Sequence, residues 1–405
     1  MSRRILLLTK KWFKDFGHDT PIGILDLAPY LRKQGDHVDV YYMEDIDGVT
    51  PEKYDIVGLS VFGADYKDEV VLADTKKLLQ RYPDSKIVIG GRWTHTVGQE
   101  TKDELNSWGV DVFKGEGEQY FFPNIPVDYS IYPTWDEKDL DNLQSYDNIL
   151  MTSRGCPFDC YFCHNIERKM KYFSPKRTAD IIEMLFRKGK ERVFFVDDIF
   201  TVDVGHMEGV LDECARRNIP IQGRNRFFSH VNVVREKTCE AMAKFEPDMV
   251  QVGLESGDDE MLIRMSKGFT VEKAEASVKL LSEYVPVYGL FLSGYPGETA
   301  MTLKRTEDFA ERINEYLAGI WVSLYQPVRG TVGYEEAKIS GQWLRQGFMT
   351  NDTITYLDKN LTKRMLLDHK LRILDLNKTR GGGKLGMKRQ IRRRISEMFT
   401  PASMH

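Results

Sequence analysis

Short apolar runs alternate with amphipathic stretches along residues 1–125 of the chain. The stretches at 22–35 and 65–82 carry apolar residues at helical spacing and predict helices. The apolar runs predict strands at 5–8, 37–43, 55–61, 86–91 and 111–115. Continuous apolar strands separated by helices are typical of a parallel sheet covered on both faces. Residues 1–125 are therefore predicted to form a Rossmann-like, flavodoxin-like α/β domain.

The carboxyl ends of these predicted strands are rich in small residues. They lie at 9–14, 60–63, 90–95 and 115–118. Parallel α/β sheets bind ligands at this edge, and small residues let the backbone approach a large ligand closely. We therefore expect a ligand at this edge of the first domain.

A second alternation of strands and helices begins at NILMTSRG (148–155). Before it, residues 126–147 contain Pro126 and Pro133 and lack periodicity, which predicts an ordered linker. Six strand–helix repeats extend to residue 330, fewer than the eight of a closed barrel. Further strands are predicted at 192–198, 221–227, 249–256, 285–294 and 319–327, with helices at 178–189, 271–284 and 299–316. Residues 331–405 are predicted to be a largely helical extension with a basic tail.

Composition limits the classes of function. The 405 residues are 41% hydrophobic and 29% charged, with a net charge of −4, as in soluble globular proteins. The sequence shows neither an apolar run near the ~20 residues of a membrane span nor a signal peptide at residues 1–13. The basic tail has no stacking aromatic pattern, so we expect a solvated terminus and no nucleic-acid partner. Five cysteines, three of them clustered, argue for a reducing compartment, and the cytoplasm is the expected location.

The clustered cysteines are Cys156, Cys160 and Cys163, in the stretch SRGCPFDCYFCHN. Iron–sulfur clusters are held by cysteine thiolates, and three thiolates can hold three irons of a [4Fe–4S] cluster and leave the fourth open. The alternative is a zinc site with His164 as the fourth ligand, but structural zinc sites usually pair two such units across a spacer. The three cysteines are therefore predicted to be both the metal ligands and the catalytic centre. The remaining cysteines are single and lie in helical patterns, at Cys214 and Cys239.

This triplet, with Phe162 before its third cysteine, resembles the signature of the radical S-adenosylmethionine (radical SAM) superfamily. The order and spacing of further motifs resemble its cobalamin-binding subgroup: FFVDDIFT (194–201), QVGLESGDDEML (251–262), KGFT (267–270) and FLSGYPGET (291–299). The first domain resembles the subgroup's cobalamin-binding domain in TPIGILDLAPYLRKQG, VGLSVFG, IVIGGRWT and GEGE. The resemblance implies a partial (βα)6 barrel, with S-adenosylmethionine on the open iron of the cluster and a 5′-deoxyadenosyl radical as its product. It also implies an electron donor such as flavodoxin or ferredoxin.

One feature departs from the resemblance. The D-x-H-x-x-G loop that supplies an axial histidine in some cobalamin proteins is absent, since Asp15, His18 and Asp19 have a different spacing. His18 and His95 are each interpreted as loop residues. The first domain could therefore bind cobalamin without a histidine, or serve only for packing or substrate docking.

The resemblance also implies binding residues at the strand ends. Asp197 or Asp198 would accept the methionyl amine, and Arg224 or Arg226 would face the carboxylate. The expected ribose contacts are Glu255 and Ser256, with Leu292 beside the adenine. Tyr161, His164 and Asn165 are candidates to shape the substrate side. The expected cobalamin-binding residues are Thr9, Ser60, Val61, Gly90, Gly91, Gly115 and Glu116.

Three functions remain open from the sequence. The first is a radical SAM enzyme that uses cobalamin to methylate an unactivated carbon or phosphorus centre of a small-molecule or peptide substrate. The second is a radical cyclase or rearrangement enzyme of the same architecture. The third is an iron–sulfur regulatory or binding protein that is not an enzyme.

Overall fold

The computed structural model describes residues 2–11, 20–49, 53–61, 67–143, 148–164, 167–344 and 353–378. The chain divides into two compact units, Met1–Ile149 with Asp180–Lys190, and Leu150–Ala179 with Glu191–His405. Several sequence expectations fall outside the described residues: the loop with Asp15, His18 and Asp19, the candidate Asn165, and the basic tail beyond Lys378.

The first unit contains a five-stranded parallel sheet in the order β2-β1-β3-β4-β5. This is the flavodoxin-like order expected from the sequence. The strands form because their apolar runs are buried: the last five residues of β1 are all buried. The strands are β1 (Arg4–Thr9), β2 (His37–Tyr42), β3 (Ile56–Ser60), β4 (Lys86–Gly90) and β5 (Asp111–Val112). The helices are α1 (Ile22–Lys33), α2 (Asp68–Arg81), α3 (Gln99–Ser107), α4 (Gly117–Phe121) and α5 (Glu137–Leu143).

Helix α5 lies inside the segment predicted to be a linker without periodicity. Its carboxylate Asp139 is fully buried and accepts two hydrogen bonds of 2.7 Å from the Arg32 guanidinium of α1. Leu140 and Leu143 are also buried. Two apolar positions are too few to reveal a helix by periodicity, so tertiary contacts stabilise what the sequence pattern did not predict.

The second unit contains the six strands expected from the repeats, in the order β13-β12-β11-β10-β9-β6. The neighbouring strands from β9 to β13 pair in parallel. The strands are β6 (Ile149–Leu150), β9 (Val193–Phe195), β10 (Asn225–Ser229), β11 (Met249–Glu255), β12 (Val287–Ser293) and β13 (Gly319–Leu324). The helices of this part of the chain are α6 (Pro175–Arg187), α7 (Val204–Arg216), α8 (Glu236–Lys244), α9 (Asp259–Arg264), α10 (Val271–Ser282) and α11 (Ala300–Ile313). From Asp180 on, α6 belongs to the first unit.

For two of the predicted strands, the structure shows what sets bounds that differ from the prediction. The strand predicted at 148–155 ends as β6 at Leu150, because the Thr152 amide donates to the Asp197 side chain at 3.0 Å. Ser153–Arg154 instead form strand β7, which pairs with β8 (Lys171–Tyr172) in a separate antiparallel sheet. The strand predicted at 221–227 begins only at Asn225, because Gly223 turns the chain with a φ of +67°.

The described part of the C-terminal extension is helical, with one short hairpin. Helix α12 (Val332–Ser340) is followed by the antiparallel strands β14 (Gly341–Trp343) and β15 (Tyr356–Asp358), and then by α13 (Lys363–Asp375). Asn377 donates to and accepts from the Ile320 backbone at 3.0 Å, so it satisfies part of the exposed edge of β13.

Among the described residues, no helix has the length and apolar character needed to cross a membrane.

Candidate functional site

The loop with the three cysteines is fixed by its backbone. Gly155 has a φ of +98°, and a Cβ there would lie 2.5 Å from the Lys169 carbonyl oxygen, so only glycine fits. The Cys156 amide donates to the Glu167 carbonyl at 2.9 Å. The Tyr161 amide donates to the Met265 carbonyl at 3.0 Å. These hydrogen bonds hold both halves of the loop against neighbouring segments.

The thiols of this loop lie close enough to affect one another's ionisation. Cys156 and Cys160 are partly buried and Cys163 is exposed. Burial is the main cause that raises the pKa of Cys156 to about 11, and charges on Cys163 and Cys160 add to it. Burial likewise raises the pKa of Cys160. Thiolates in this position need bound cations to offset their charge, which fits an iron–sulfur cluster.

A site for a single metal ion differs from a cluster site in how its ligands are arranged. In the part of the chain that the structure describes, no group of three or more His, Cys, Asp or Glu side chains is arranged to hold one metal ion. A [4Fe–4S] cluster binds one thiolate at each ligated iron. Its cysteines therefore surround the cluster and do not converge on one point.

Asp197 and Asp198 occupy different environments. Asp197 is buried, and its carboxylate accepts from the Thr152 amide at 3.0 Å, the Thr152 hydroxyl at 2.8 Å and the Ser153 hydroxyl at 2.6 Å. Burial raises the pKa of Asp197 to about 6 although these hydrogen bonds oppose the shift. Asp198 is only partly buried, and its charge helps to raise the pKa of Cys156. Of the two carboxylates, Asp198 is the one whose charge acts on the cysteine loop.

Arg224 and Arg226 do not lie at the carboxyl end of β10, contrary to the prediction. Arg226 is the second residue of the strand and pairs in register with Phe194 and with Met249, the first residue of β11. Its guanidinium carbon lies 4.1 Å from the centroid of the Phe194 ring. Arg224 precedes the strand and lines a cavity of about 360 Å³ with Glu191, Arg192, Gln222 and Gly223. The strand ends instead at Ser229, so both arginines belong to its amino-terminal side.

Glu255 ends β11 and forms a buried ion pair with Lys267. The Lys267 Nζ lies 3.1 Å from Oε1 of Glu255, and the two side chains are 3% and 12% exposed. Glu255 has a φ of +61°, an uncommon backbone conformation for a residue other than glycine. A Cβ at Gly253 would lie 2.5 Å from Oε1 of Glu255, so glycine leaves room for the pair.

Lys267 lies beside the cysteine loop, and the sequence did not assign it a role. Its Nζ lies 5.5 Å from the ring centroids of Phe162 and Phe269. Burial acts to lower the pKa of Lys267, but the charges of Glu255, Cys160 and Cys163 and the hydrogen bond with Glu255 together raise it. Lys267 is therefore positively charged at neutral pH. The KGFT motif was a sequence signal that could have identified it.

Ser256 and Leu292 differ in what they contact. The buried Ser256 hydroxyl lies 3.1 Å from the Thr306 hydroxyl of α11 and accepts from the Asp258 amide at 3.2 Å. Leu292 and Phe162 are partly buried and both pack against one apolar cluster. The members of this cluster are Met261, Met265, Tyr295, Tyr325, Ala337 and Tyr356. Leu292 and Phe162 therefore pack against the same apolar cluster, a relationship that the sequence did not show.

Two further side chains near the site were not predicted. His230 follows β10 and stacks on Phe158 of the cysteine loop, with ring centroids 3.8 Å apart. Burial lowers the pKa of His230 to about 2, so the imidazole is neutral. Glu298 is buried at the end of the SGYPGE turn and accepts from the Gly294 amide. Burial raises the pKa of Glu298 to about 8, helped by Asp258 and Asp358, so the carboxyl is largely protonated at neutral pH.

In the first unit, the predicted strand ends lie side by side. Thr9 of β1 pairs in register with Ser60 of β3, which pairs with Gly90 of β4. Gly91 has a φ of +86°, and a Cβ there would lie 2.4 Å from the Val61 carbonyl oxygen. The backbone segments are therefore closely packed at this edge of the sheet.

The loop after β5 contributes the other predicted residues of the first unit. Gly115 has a φ of +155°, and Glu116 immediately precedes α4. His95 follows β4, and burial lowers its pKa to about 4, with smaller effects from Lys114 and Arg92. His95 is therefore neutral at pH 7.

Comparisons with known proteins bear on both units. Residues 150–310 match the sequence model of the radical SAM superfamily. An uncharacterized methyltransferase of Pyrococcus horikoshii is 26% identical over 211 residues, which are 51% of this chain and 45% of that protein. The anaerobic magnesium-protoporphyrin IX monomethyl ester cyclase of Rubrivivax gelatinosus is 26% identical over 369 residues, 77% of this chain and 65% of the cyclase. The chain thus spans less than two thirds of the length of either relative.

A solved structure shows the same fold. The radical SAM methyltransferase TsrM from Kitasatospora setae, with cobalamin and a [4Fe–4S] cluster bound, matches with a TM-score of 0.66. The match covers 83% of this chain and 75% of TsrM at 18% sequence identity. The superfamily uses S-adenosylmethionine and a [4Fe–4S] cluster. The three cysteines lie within the matched residues 150–310, so this part of the chain is a radical SAM domain.

Proposed function

We propose that this enzyme uses a [4Fe–4S] cluster, S-adenosylmethionine and cobalamin to methylate an unactivated carbon or phosphorus centre. The observation that carries the proposal is the cysteine loop, whose backbone is held by Glu167 and Met265. Asp198, which follows β9, and Glu255, which ends β11, both have charges within range of its thiols. When bound, the cluster and S-adenosylmethionine supply the 5′-deoxyadenosyl radical.

The residues of the second unit have distinct parts in this proposal. Cys156, Cys160 and Cys163 would hold three irons, and the fourth would be open to the amine and carboxylate of S-adenosylmethionine. Asp198 would accept the methionyl amine, since Asp197 is already saturated by hydrogen bonds within the protein. Glu255 would accept a ribose hydroxyl.

Apolar residues complete this arrangement. Leu292 and Phe162 would provide the apolar surface beside the adenine, because both pack on one cluster near the cysteine loop. This would also exclude water from the reactive carbon, which a radical reaction requires.

The first unit would bind cobalamin at the carboxyl edge of its sheet. Thr9, Ser60 and Gly90 end neighbouring strands in register, and parallel sheets bind ligands at this edge. Val61, Gly91, Gly115 and Glu116 belong to the loops that continue from it. Because the D-x-H-x-x-G loop is absent, no histidine of that motif would hold the cobalamin, and the residues at the strand ends would bind it.

A second candidate is a radical cyclization. It is favoured by the match to the Rubrivivax cyclase, which extends over 77% of this chain and so includes parts of both units. The two candidates differ in whether a methyl group reaches the product. The proposal also includes a small-molecule or peptide substrate, a flavodoxin or ferredoxin as the electron donor, and a cytoplasmic location.

Anaerobically purified, reconstituted enzyme tests the cofactors. We expect about four irons and four sulfides per chain, as for one [4Fe–4S] cluster, and reductive release of 5′-deoxyadenosine from S-adenosylmethionine. Replacing the three loop cysteines with Ala should abolish both, whereas Cys214→Ala and Cys239→Ala should not, because those two cysteines are buried elsewhere. Stoichiometric zinc without iron would contradict the proposal.

Isotope labelling tests the reaction. The methyl label of S-adenosylmethionine should appear first on cobalamin and then on the product. If the enzyme binds no cobalamin at micromolar concentration, the cyclization candidate is favoured.

A further inference from the structure

We propose that Lys267 is a buried cation that raises the reduction potential of the cluster at the cysteine loop and so eases its one-electron reduction. This inference rests on the proposed cluster. The potential of an iron–sulfur cluster depends on nearby charge, hydrogen bonds and solvent exposure. Little solvent screens the positive charge of Lys267, because its side chain is only 3% exposed.

Two contacts place Lys267 beside the loop. Its Nζ lies 5.5 Å from the ring centroid of Phe162, one of the two residues between Cys160 and Cys163 along the chain. Two residues before Lys267, the Met265 carbonyl accepts the Tyr161 amide at 3.0 Å. The segment that carries the lysine is thus fixed to the segment that carries two of the cysteines.

The ion pair with Glu255 does not cancel this effect. Only one contact joins them, from Nζ to Oε1 at 3.1 Å, in place of a bidentate arrangement. The cation also lies over the cysteine loop, since the Nζ of Lys267 is 5.5 Å from the Phe162 ring centroid. The positive end of the ion pair is therefore in contact with the loop that carries the cysteines.

Because the two charges of the ion pair have opposite signs, removing one or the other should shift the midpoint potential of the cluster in opposite directions. Lys267→Met removes the cation and leaves the Glu255 carboxylate unpaired, so the midpoint potential should become more negative. Glu255→Gln removes the anion and keeps the lysine, so the midpoint potential should become more positive. Lys267→Arg keeps the charge and should stay near the wild-type potential.

The experiment is a redox titration of the full-length, anaerobically reconstituted enzyme without S-adenosylmethionine, followed by electron paramagnetic resonance. Lys273→Met is the matched control, because Lys273 is an exposed lysine of the same segment that donates to Asn232. We expect its midpoint potential to match the wild type. Iron and sulfide are counted first for every variant, which tests the cluster itself.

The outcomes separate the two proposals. Opposite shifts for Lys267→Met and Glu255→Gln support the inference. Intact clusters with unchanged potentials in both variants would overturn it and leave the proposed function standing. A wild-type enzyme without a cluster would overturn both. If Lys267→Met fails to assemble a cluster, the direction of the shift in Glu255→Gln decides.

Discussion

Asp197 holds Thr152 through both its backbone and its side chain: Oδ1 accepts the Thr152 amide at 3.0 Å and the hydroxyl at 2.8 Å, and Oδ2 lies 3.1 Å from the same amide. These hydrogen bonds end β6 just before the segment that carries the cysteines. The adjacent Asp198 is partly exposed. Asp197 therefore has a structural role, and the proposed function assigns the methionyl amine to Asp198.

The two aspartates can be separated by matched amide substitutions. Asp197→Asn places an amide donor against donors of Thr152 and Ser153, and each unpaired buried donor costs roughly 1–3 kcal/mol. We expect a lower free energy of unfolding in chemical denaturation. Asp198→Asn should leave stability unchanged and weaken S-adenosylmethionine binding about tenfold or more, since a charged hydrogen bond contributes ~1.5–3 kcal/mol. Equal stability of the two variants would contradict the assignment.

Glu298 predicts a pH dependence of stability. Burial raises the pKa of Glu298 to about 8, above the ~4.3 of an unfolded glutamate, so the folded state binds the proton more tightly. The resulting stabilisation is fully present below pH ~4.3 and is lost as the pH rises through about 8. Glu298→Gln has no proton to lose, so the wild type should lose stability relative to this variant across that range.

The measurement is chemical denaturation of both proteins at several pH values. One pKa unit corresponds to about 1.4 kcal/mol, so the relative loss should be on the order of a few kcal/mol. Parallel pH profiles for wild type and Glu298→Gln would contradict the prediction.

Some features could be predicted from the sequence because they depend on local pattern. Apolar periodicity predicted the flavodoxin-like sheet and the six-stranded sheet, and the cysteine spacing predicted the loop. Arg226 was misplaced because the apolar pattern does not show the turn at Gly223 that delays the start of β10.

The rest depended on three-dimensional contacts. The KGFT motif marks Lys267 in the sequence, but its position beside the loop comes from tertiary contacts. Lys267 lies over the Phe162 ring, and Met265 accepts a hydrogen bond from Tyr161, about a hundred residues earlier in the chain. Asp197 and Asp198 could not be distinguished by pattern, since only the hydrogen bonds of Asp197 show which carboxylate is buried.

Gly155 tests how the cysteine loop is fixed. Gly155→Ala would place a Cβ 2.5 Å from the Lys169 carbonyl oxygen, at a φ of +98°. The loop must move, so we expect most of the iron to be lost on reconstitution. Gly189→Ala is the control, because Gly189 has a φ of +84° but no atom within 4 Å of an added Cβ. It should cost only the strain of a left-handed residue, ~1–2 kcal/mol, and retain the iron. Equal iron content in the two variants would show that the clash at Gly155 is unimportant.

Gly90 tests the proposed cobalamin edge without disturbing the fold. It ends β4 in register with Ser60, and an added Cβ would meet no atom within 4 Å. Gly90→Leu should therefore unfold at nearly the wild-type denaturant concentration and retain the cluster. Its side chain would project into the space assigned to the corrin, so cobalamin affinity, measured by absorbance titration, should fall at least about tenfold, or ~1.4 kcal/mol. Wild-type affinity in a correctly folded Gly90→Leu variant would mean that cobalamin does not lie against this strand end, because a leucine side chain there leaves too little room for a flat ring.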